Sequence, residues 1–288
     1  MSLENSVQGK KWDIIIAPRS KVFTLNLVSV WRYRDLIWMF FKRDFIAFYK
    51  QTILGPLWYL IQPILTAITY FVIFRKIANI STDGLPPFVF YISGIVVWTY
   101  FSACLTNNAE VFSKNAQLFG KVYFPRLVVP ISVAISGMVA FAIQFVLLMV
   151  VSIGFLFAGA ELKLHWQALP MVLLLVLYVA SLGIGVGLVV SALTVRFRDL
   201  AFATGFVTQL WMFASPVVYP FSQIPETYRV FFHLNPMTAP IESLRALMFG
   251  TEGVGLSIWL ANISITLGLL ILGLALFTRA ETNAMDTV

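Results

Sequence analysis

Residues 107–126 read NNAEVFSKNAQLFGKVYFPR. They form the longest polar interruption between two apolar runs on the side that the charges assign to the cytoplasm. Glu110, Lys114, Lys121 and Arg126 lie in it, and Pro125 and Pro130 mark the return to apolar sequence. A helix fits over 109–119, with Asn107 or Asn108 as N-cap and Gly120 just past its end. A short helix held outside a membrane between two spanning helices can accept a push from a soluble partner. The plainer reading is an ordinary loop.

The flanks of this stretch set the class. The 288-residue chain is 59% hydrophobic, 15% aromatic and only 11% charged, against about 25% charged in a soluble domain. Mean hydropathy is +0.86. This is the composition of an integral membrane protein. Six apolar runs, 53–74, 86–106, 127–158, 168–195, 200–219 and 256–278, each approach the ~20 residues that a spanning helix needs. The third and fourth are long enough to tilt. Gly183, Gly185 and Gly187, with Ser181 and Ser191, give the fourth a small-residue surface for close helix contact.

Charge fixes the expected orientation. Nine Lys and Arg precede the first run, three lie in 107–126, two are Arg196 and Arg198, and one is Arg279, fifteen of the twenty in all. Arg75, Lys76, Lys163, Arg229 and Arg245 remain for the outside. The asymmetry predicts both termini inside with six spans, and assigns the net charge of +7 to topology and lipid headgroups rather than to nucleic acid. Residues 1–20 lack an apolar core, so no cleaved signal peptide is expected there.

Residues 32–50 predict an amphipathic helix lying in the interface. Arg32, Asp35, Lys42, Arg43 and Lys50 share one face, with Trp38, Phe41, Phe45 and Phe48 opposite and Asp44 fitting poorly. Packing on another subunit is the alternative. Beyond the fifth run, Pro225 opens a short helix ending near Leu234, Asn235-Pro236 breaks it, and a second helix runs from Thr238 to Gly250. Both halves carry apolar residues, so the pair is expected to dip into the outer leaflet, its broken backbone shielded by protein.

The chemistry that is missing is informative. No Asp, Glu, Lys, Arg or His lies inside the six runs, apart from Arg126, Arg196 and Arg279 at their cytoplasmic edges, whereas ion-coupled transporters place ionisable groups at mid-membrane depth. An intramembrane enzyme needs a nucleophile, an acid–base pair or a metal. His165 and His233 sit in different outside segments without ligand-spaced partners, and Cys104 is alone. No metal site is expected. No GxxxxGK[ST] loop is present, since Gly120-Lys121 is followed by Val122. The chain is therefore expected to hydrolyse no nucleotide and to bind no cofactor, and any uphill work must draw on another polypeptide. Aromatics are plentiful in the spans. Most read as interfacial belts or lipid-facing filler, and the remainder suit the C–H faces of sugar rings.

Four stretches carry a family resemblance: YKQTILGPLWYLIQP (49–63), FGKVYFPRLVVP (119–130), RFRDL (196–200) and Asn235-Pro236-Met237. Together they resemble the permease subunit of ABC-2 type polysaccharide exporters, most closely the O-antigen branch of the O-antigen, capsule and teichoic acid group. The match runs from about Arg32 to the end of the chain. The resemblance implies an all-α fold with a cytoplasmic segment over 1–31, the interfacial helix over 32–50 and a transmembrane domain over 51–288. It implies a homodimer in the bacterial inner membrane, working with two ATP-binding cassette subunits that bind ATP and magnesium. The cargo would be an undecaprenyl-linked glycan. Coupling to the ATPase would fall to Glu110, Lys114, Asn115 and Lys121, with Arg196, Arg198 and Asp199 in the second loop. Trp58, Tyr59, Trp98, Phe101, Trp211 and Phe213 become channel-lining candidates. Competing readings are an exporter of a drug or small lipid, a membrane enzyme acting on lipid-linked sugars, and a passive channel.

Overall fold

The computed structural model describes residues 27–50, 54–122, 124–197 and 199–285, and no strand occurs among them. Residues 1–26, Arg198 and the side chain of Lys50 lie outside the described part, and with them the bulk of the expected N-terminal segment. Helix α1 (Leu27–Arg32) leads into α2 (Arg34–Lys50). Helix α3 (Trp58–Tyr70) continues into a π-helical turn, Phe71–Ile77. Then come α4 (Pro87–Ala109), the single turns α5 (Val111–Lys114) and α6 (Ala116–Phe119), α7 (Val128–Phe157) and α8 (Leu169–Thr194). The chain ends with α9 (Leu200–Phe213), α10 (Glu226–Leu234), α11 (Thr238–Phe249) and α12 (Leu256–Met285).

Among the described residues, five helical segments are long and apolar enough to cross a membrane: Gly55–Ile77, Pro87–Ala109, Val128–Phe157, Trp166–Thr194 and Leu256–Glu281. Their burial differs sharply. The α4 window is 78% buried and the α3 window 17%. Helix α4 is thus the axis of the bundle, and α3 packs on its outside. Small residues set the spacing of the centre. A Cβ added to Gly183 would sit 2.5 Å from the Cβ of Cys104, and one on Gly187 2.5 Å from the Cβ of Asn108. On the other face of α8, a Cβ on Gly185 would meet the Leu270 nitrogen at 2.9 Å, and one on Gly273 the Gly185 carbonyl at 2.5 Å. Helix α8 is therefore clasped between α4 and α12 at backbone distance, the geometry that small-residue faces allow where no hydrophobic effect drives helices together.

The fifth apolar run departs from expectation. Its helix stops at Phe213, and 14 residues span only about 21 Å, short of the ~30 Å hydrocarbon core. The chain then turns through 214–220 with Ser215, Val217 and Val218 fully buried. Buried backbone freed from a helix must find partners, and the carbonyls of Phe213, Ala214, Pro216 and Val217 have them. Asn235 Nδ2 donates to Ala214 O at 2.8 Å and the Tyr219 hydroxyl donates to Phe213 O. Arg245 donates to Pro216 O at 2.8 Å and to Val217 O at 2.9 Å.

Arg245, which the charge count leaves for the outside, is no surface charge. It is 1% exposed. Its guanidinium also reaches Ser93 Oγ at 3.1 Å and Phe90 O at 3.3 Å, pairs with Glu242 at 3.1 Å, and lies 3.6 Å from the Phe90 ring centroid. Five fixed donors suit this role. Gly94 lets the arrangement close, since a Cβ there would fall 2.7 Å from Val217 O and 2.8 Å from Arg245 Nη2.

The helical pair forms as the sequence predicts, and its break is sealed in the same way. Asn235 Oδ1 accepts from Trp211 Nε1 and from its own pair's Met237 N–H, both at 3.0 Å. Tyr178 of α8 donates to Pro236 O at 2.9 Å, and Asn262 of α12 donates to His233 O at 2.7 Å.

Two outcomes follow for stability in detergent. Arg245→Met removes one partner of a buried pair and strands several carbonyls, so thermal unfolding should show a loss of about 3–5 kcal/mol; an unchanged midpoint would contradict the assigned role. Gly187→Val should cost about 1–3 kcal/mol by overpacking the α4–α8 contact, whereas Gly154→Val, at a position with open space around it, should leave the midpoint nearly unmoved.

Candidate functional site

The end of the bundle that carries residues 107–126 also gathers α2 and the last turns of α8 and α12. Its small core contains Phe40, Val111, Phe124, Val128, Leu188 and Phe277, all buried. Phe112 stacks on Phe277 with centroids 4.6 Å apart, and Phe119 meets Phe124 at 5.8 Å. Arg126 lies over the Phe119 ring at 5.1 Å and reaches Glu281 of α12 at 4.0 Å, with only 7% exposure. Burial lowers its pKa and the Glu281 carboxylate pulls it back up; a guanidinium stays charged under either influence. The sequence reading treated Arg126 as an edge charge. The structure makes it the tie between the connecting segment and the C-terminal helix.

The connecting segment is not the single helix expected over 109–119. Helix α4 runs on to Ala109, so Asn107 and Asn108 lie inside it rather than capping a new helix. Asn108 is buried and bonds back to Cys104 O at 2.8 Å. Beyond Glu110 come two separate turns, because local side chains bond the backbone at the break: Ser113 Oγ to Glu110 O and Asn115 Nδ2 to Val111 O, both at 3.0 Å. Such bonds compete with the helical ladder.

Among the coupling candidates, Lys114 pairs with Glu110 at 2.7 Å and donates to Asn107 Oδ1 at 3.2 Å. Glu110 is half-buried, while Lys114, Lys121, Arg196 and Asp199 are exposed. The two loops adjoin, because Thr194 Oγ1 donates to Ala109 O at 3.4 Å across the α4–α8 seam. Movement imposed on either loop is thus passed to the same rigid pair of helices.

Helix α2 carries three faces rather than two, and Arg32 belongs to α1 before a break at Tyr33. Phe40, with Tyr33, Leu36 and Ile37, packs into the small core. Arg43 covers Phe40 at 4.8 Å and pairs with Asp44 at 2.8 Å, which explains why Asp44 fitted the basic face poorly. Lys42 is exposed. Trp38 and Phe45 are 62% and 40% exposed and flank Phe41, at centroid distances of 4.9 and 6.1 Å. The side chain of Phe48 lies outside the described part, and the packing of this helix on the bundle falls to Phe40.

The aromatic candidates divide. Trp98 and Phe101 are buried within the protomer. With Trp211 they form one cluster, at centroid distances of 5.0 to 6.5 Å, that fastens α4 to α9. Trp98 and Phe101 therefore leave the channel-lining set, because a ring enclosed by its own bundle cannot face a passage outside it. Trp58 and Phe213 are exposed, and Tyr59 is half-buried. Exposed apolar side chains on α3 and α9, among them Leu65, Phe202, Phe206 and Leu210, extend the same outward surface. Sequence reasoning could not separate the two groups, since aromatic residues occur on both sides of each helix.

Among the described residues the two histidines stay apart. His165 bonds through its backbone to Met248 O, while the His233 ring stacks on Phe221 at 5.5 Å. Among the described residues no three His, Cys, Asp or Glu side chains gather in metal-binding geometry.

Comparison with known proteins agrees with this picture. Residues 35–249 match the family described as ABC-2 type transporter. An O-antigen export system permease protein of Klebsiella pneumoniae is 31% identical over 221 residues, 75% of this chain and 82% of the relative. One from Myxococcus xanthus is 28% identical over 223 residues, 77% of this chain and 83% of the relative. A polysialic acid transport protein of Escherichia coli is 26% identical over 255 residues, 86% of this chain and 93% of the relative. The match covers most of the helical bundle and the connecting segments described above: the chain belongs to the ABC-2 type transporter family.

Proposed function

We propose that this protein is the membrane conduit of an ATP-driven exporter that carries a lipid-linked polysaccharide, O-antigen before any other, across the bacterial inner membrane. The observation that carries this reading is the family match together with relatives named as O-antigen export permeases over four-fifths of their length. The distant likeness to polysialic acid transport proteins keeps a capsular glycan as the second reading. The absence of a phosphate-binding loop from the whole sequence supports placing ATP and magnesium on two separate cassette subunits.

In this reading the basic end faces the cytoplasm, both termini are inside, and α9 with the sealed stretch 214–220 makes the fifth of six crossings. Helices α10 and α11 sit in the outer leaflet. Two copies form the conduit, because one bundle of this size closes on its own core and leaves no room to encircle a hydrated sugar chain. The exposed aromatics of α3 and α9, Trp58 and Phe213 with Tyr59 and Trp211 behind them, then line the seam where the copies part. Motion of the cassette subunits enters through α5, α6 and the 196–199 loop. The rigid α4–α8 pair carries it to the seam.

Deleting the gene should remove long-chain polysaccharide from the cell surface; an unchanged surface glycan would refute the substrate assignment. Glu110→Ala with Lys114→Ala tests the coupling role. An exposed pair of this kind is worth about 0.3–0.5 kcal/mol, so the double variant should fold and assemble with its ATPase. It should hydrolyse ATP while exporting little glycan. Export at the unaltered rate would show that push is delivered elsewhere.

A further inference from the structure

Helices α3 and α9 carry the same surface pattern. Trp58, Gln62, Leu65 and Thr69 follow one another at i, i+4, i+7 and i+11, and so do Phe202, Phe206, Gln209 and Phe213. That spacing puts each set on one helix face, and all of these residues are exposed. Each face therefore holds one glutamine among apolar and aromatic side chains. The threonines of the two helices hide their polarity: Thr66, Thr69, Thr204 and Thr208 donate to carbonyls one turn back, at 2.7 to 2.9 Å. Tyr70 donates to Met212 Sδ at 3.3 Å, and Trp211 to Asn235 Oδ1 at 3.0 Å. Gln62 and Gln209 differ. Among the described residues neither side-chain amide has a hydrogen-bond partner.

An amide that faces hydrocarbon without a partner is costly. The exposed faces of α7 and α8 avoid that cost, presenting Val146, Val150, Leu174 and Leu177 instead. We infer that Gln62 and Gln209 are passage-lining residues, which hydrogen-bond the hydroxyls of the sugar chain as it moves along the seam between two copies. This rests on the reading of the protein as a glycan conduit. A side-chain amide both donates and accepts, so it can meet a hydroxyl in either sense. A neutral amide also binds less tightly than a charged group, and a passage must release what it binds. Rings on the same faces, Trp58 on α3 with Phe206 and Phe213 on α9, offer apolar area to the C–H faces of the sugars. Both helices run away from the basic end, and the Tyr70–Met212 bond sets their relative height. Gln62 lies about 12 Å from Tyr70 toward the basic end, and Gln209 about 4.5 Å from Met212 in the same direction. A chain threading the seam thus meets the two amides in turn.

The test places single cysteines in the full chain, reconstituted in proteoliposomes with its cassette subunit, ATP and lipid-linked glycan. Cys104 is buried, so the unaltered chain gives the background. A charged, membrane-impermeant thiosulfonate reacts with the thiolate, which needs water. During turnover Gln62→Cys and Gln209→Cys should therefore be modified at least about tenfold faster than Val150→Cys and Leu174→Cys. Glycan in transit should slow the reaction at both positions. Four equal rates would overturn the inference. So would a disulfide that links two copies through position 62 or 209 as readily during turnover as at rest, since the amides would then form a fixed contact between copies. Gln62→Leu with Gln209→Leu should lower export about tenfold, the scale of two lost hydrogen bonds, and Gln62→Asn with Gln209→Asn should recover part of it. Export by the leucine variant at the unaltered rate would also overturn the role. If the leucine variant does not fold, the labelling rates decide. The two readings fail separately: an unaltered chain that exports no glycan refutes the function proposed above, whereas export without preferential labelling refutes only the lining role.

Discussion

A guanidinium buried among broken backbone is the constraint on which the half of this molecule away from the basic end depends. Helix α9 ends too soon to cross a bilayer alone, and the seven residues after it carry carbonyls that lipid cannot solvate. Arg245 answers two of them, adds Phe90 O and Ser93 Oγ from α4, and is itself neutralised by Glu242. Burying a charge is costly unless it is paired and fully hydrogen-bonded. Here both conditions are met, so α11 becomes a plug whose position fixes the end of α9 and the face of α4 together. Glu242 extends the hold by accepting the Phe221 N–H at 3.1 Å, and Ser222 then reaches Asp83, in the connection that leads into α4, at 2.8 Å. Asn235 and Asn262 do the same for the second break in the backbone. Irregular structure at depth is tolerated because side chains from four helices replace water.

The half at the basic end is organised differently. Its tie is aromatic and ionic: Arg126 against Phe119 and Glu281, Phe112 against Phe277. Between the halves, α8 is held at backbone distance to α4 and α12 by Gly183, Gly185, Gly187 and Gly273. Close-packed interiors transmit displacement rather than absorb it. A shift at the loops of the basic end therefore reaches the plug through α4, which contributes Asn108 near one end and Gly94, Phe90 and Ser93 near the other. That physical continuity gives the proposed coupling role its mechanical basis.

Much of this was legible in the sequence. Apolar runs marked the five long helices, Asn235-Pro236 and Gly250 bounded the helical pair, and the glycines of α8 announced its close contacts. What stayed hidden required tertiary knowledge. Nothing local distinguishes Arg245 from Arg229, yet one is fully buried and the other lies on an open face. The break in the connecting segment arises from Ser113 and Asn115 turning back on the chain, and composition alone cannot reveal that. Trp98 and Phe101 carry the same letters as exposed aromatics, and only the cluster with Trp211 assigns them to the core. On α2, period alone pointed to two faces. The third, around Phe40, follows from the position of α7.

The account rests on the chain being a passage whose energy is supplied from outside it. The most direct measurement is nucleotide hydrolysis and glycan transport by proteoliposomes containing the purified chain, with and without its cassette subunit. The chain alone should hydrolyse nothing and move nothing, and both activities should appear together when the cassette subunit is added. Hydrolysis by the chain on its own, or ATP-independent transport of the glycan, would contradict the account.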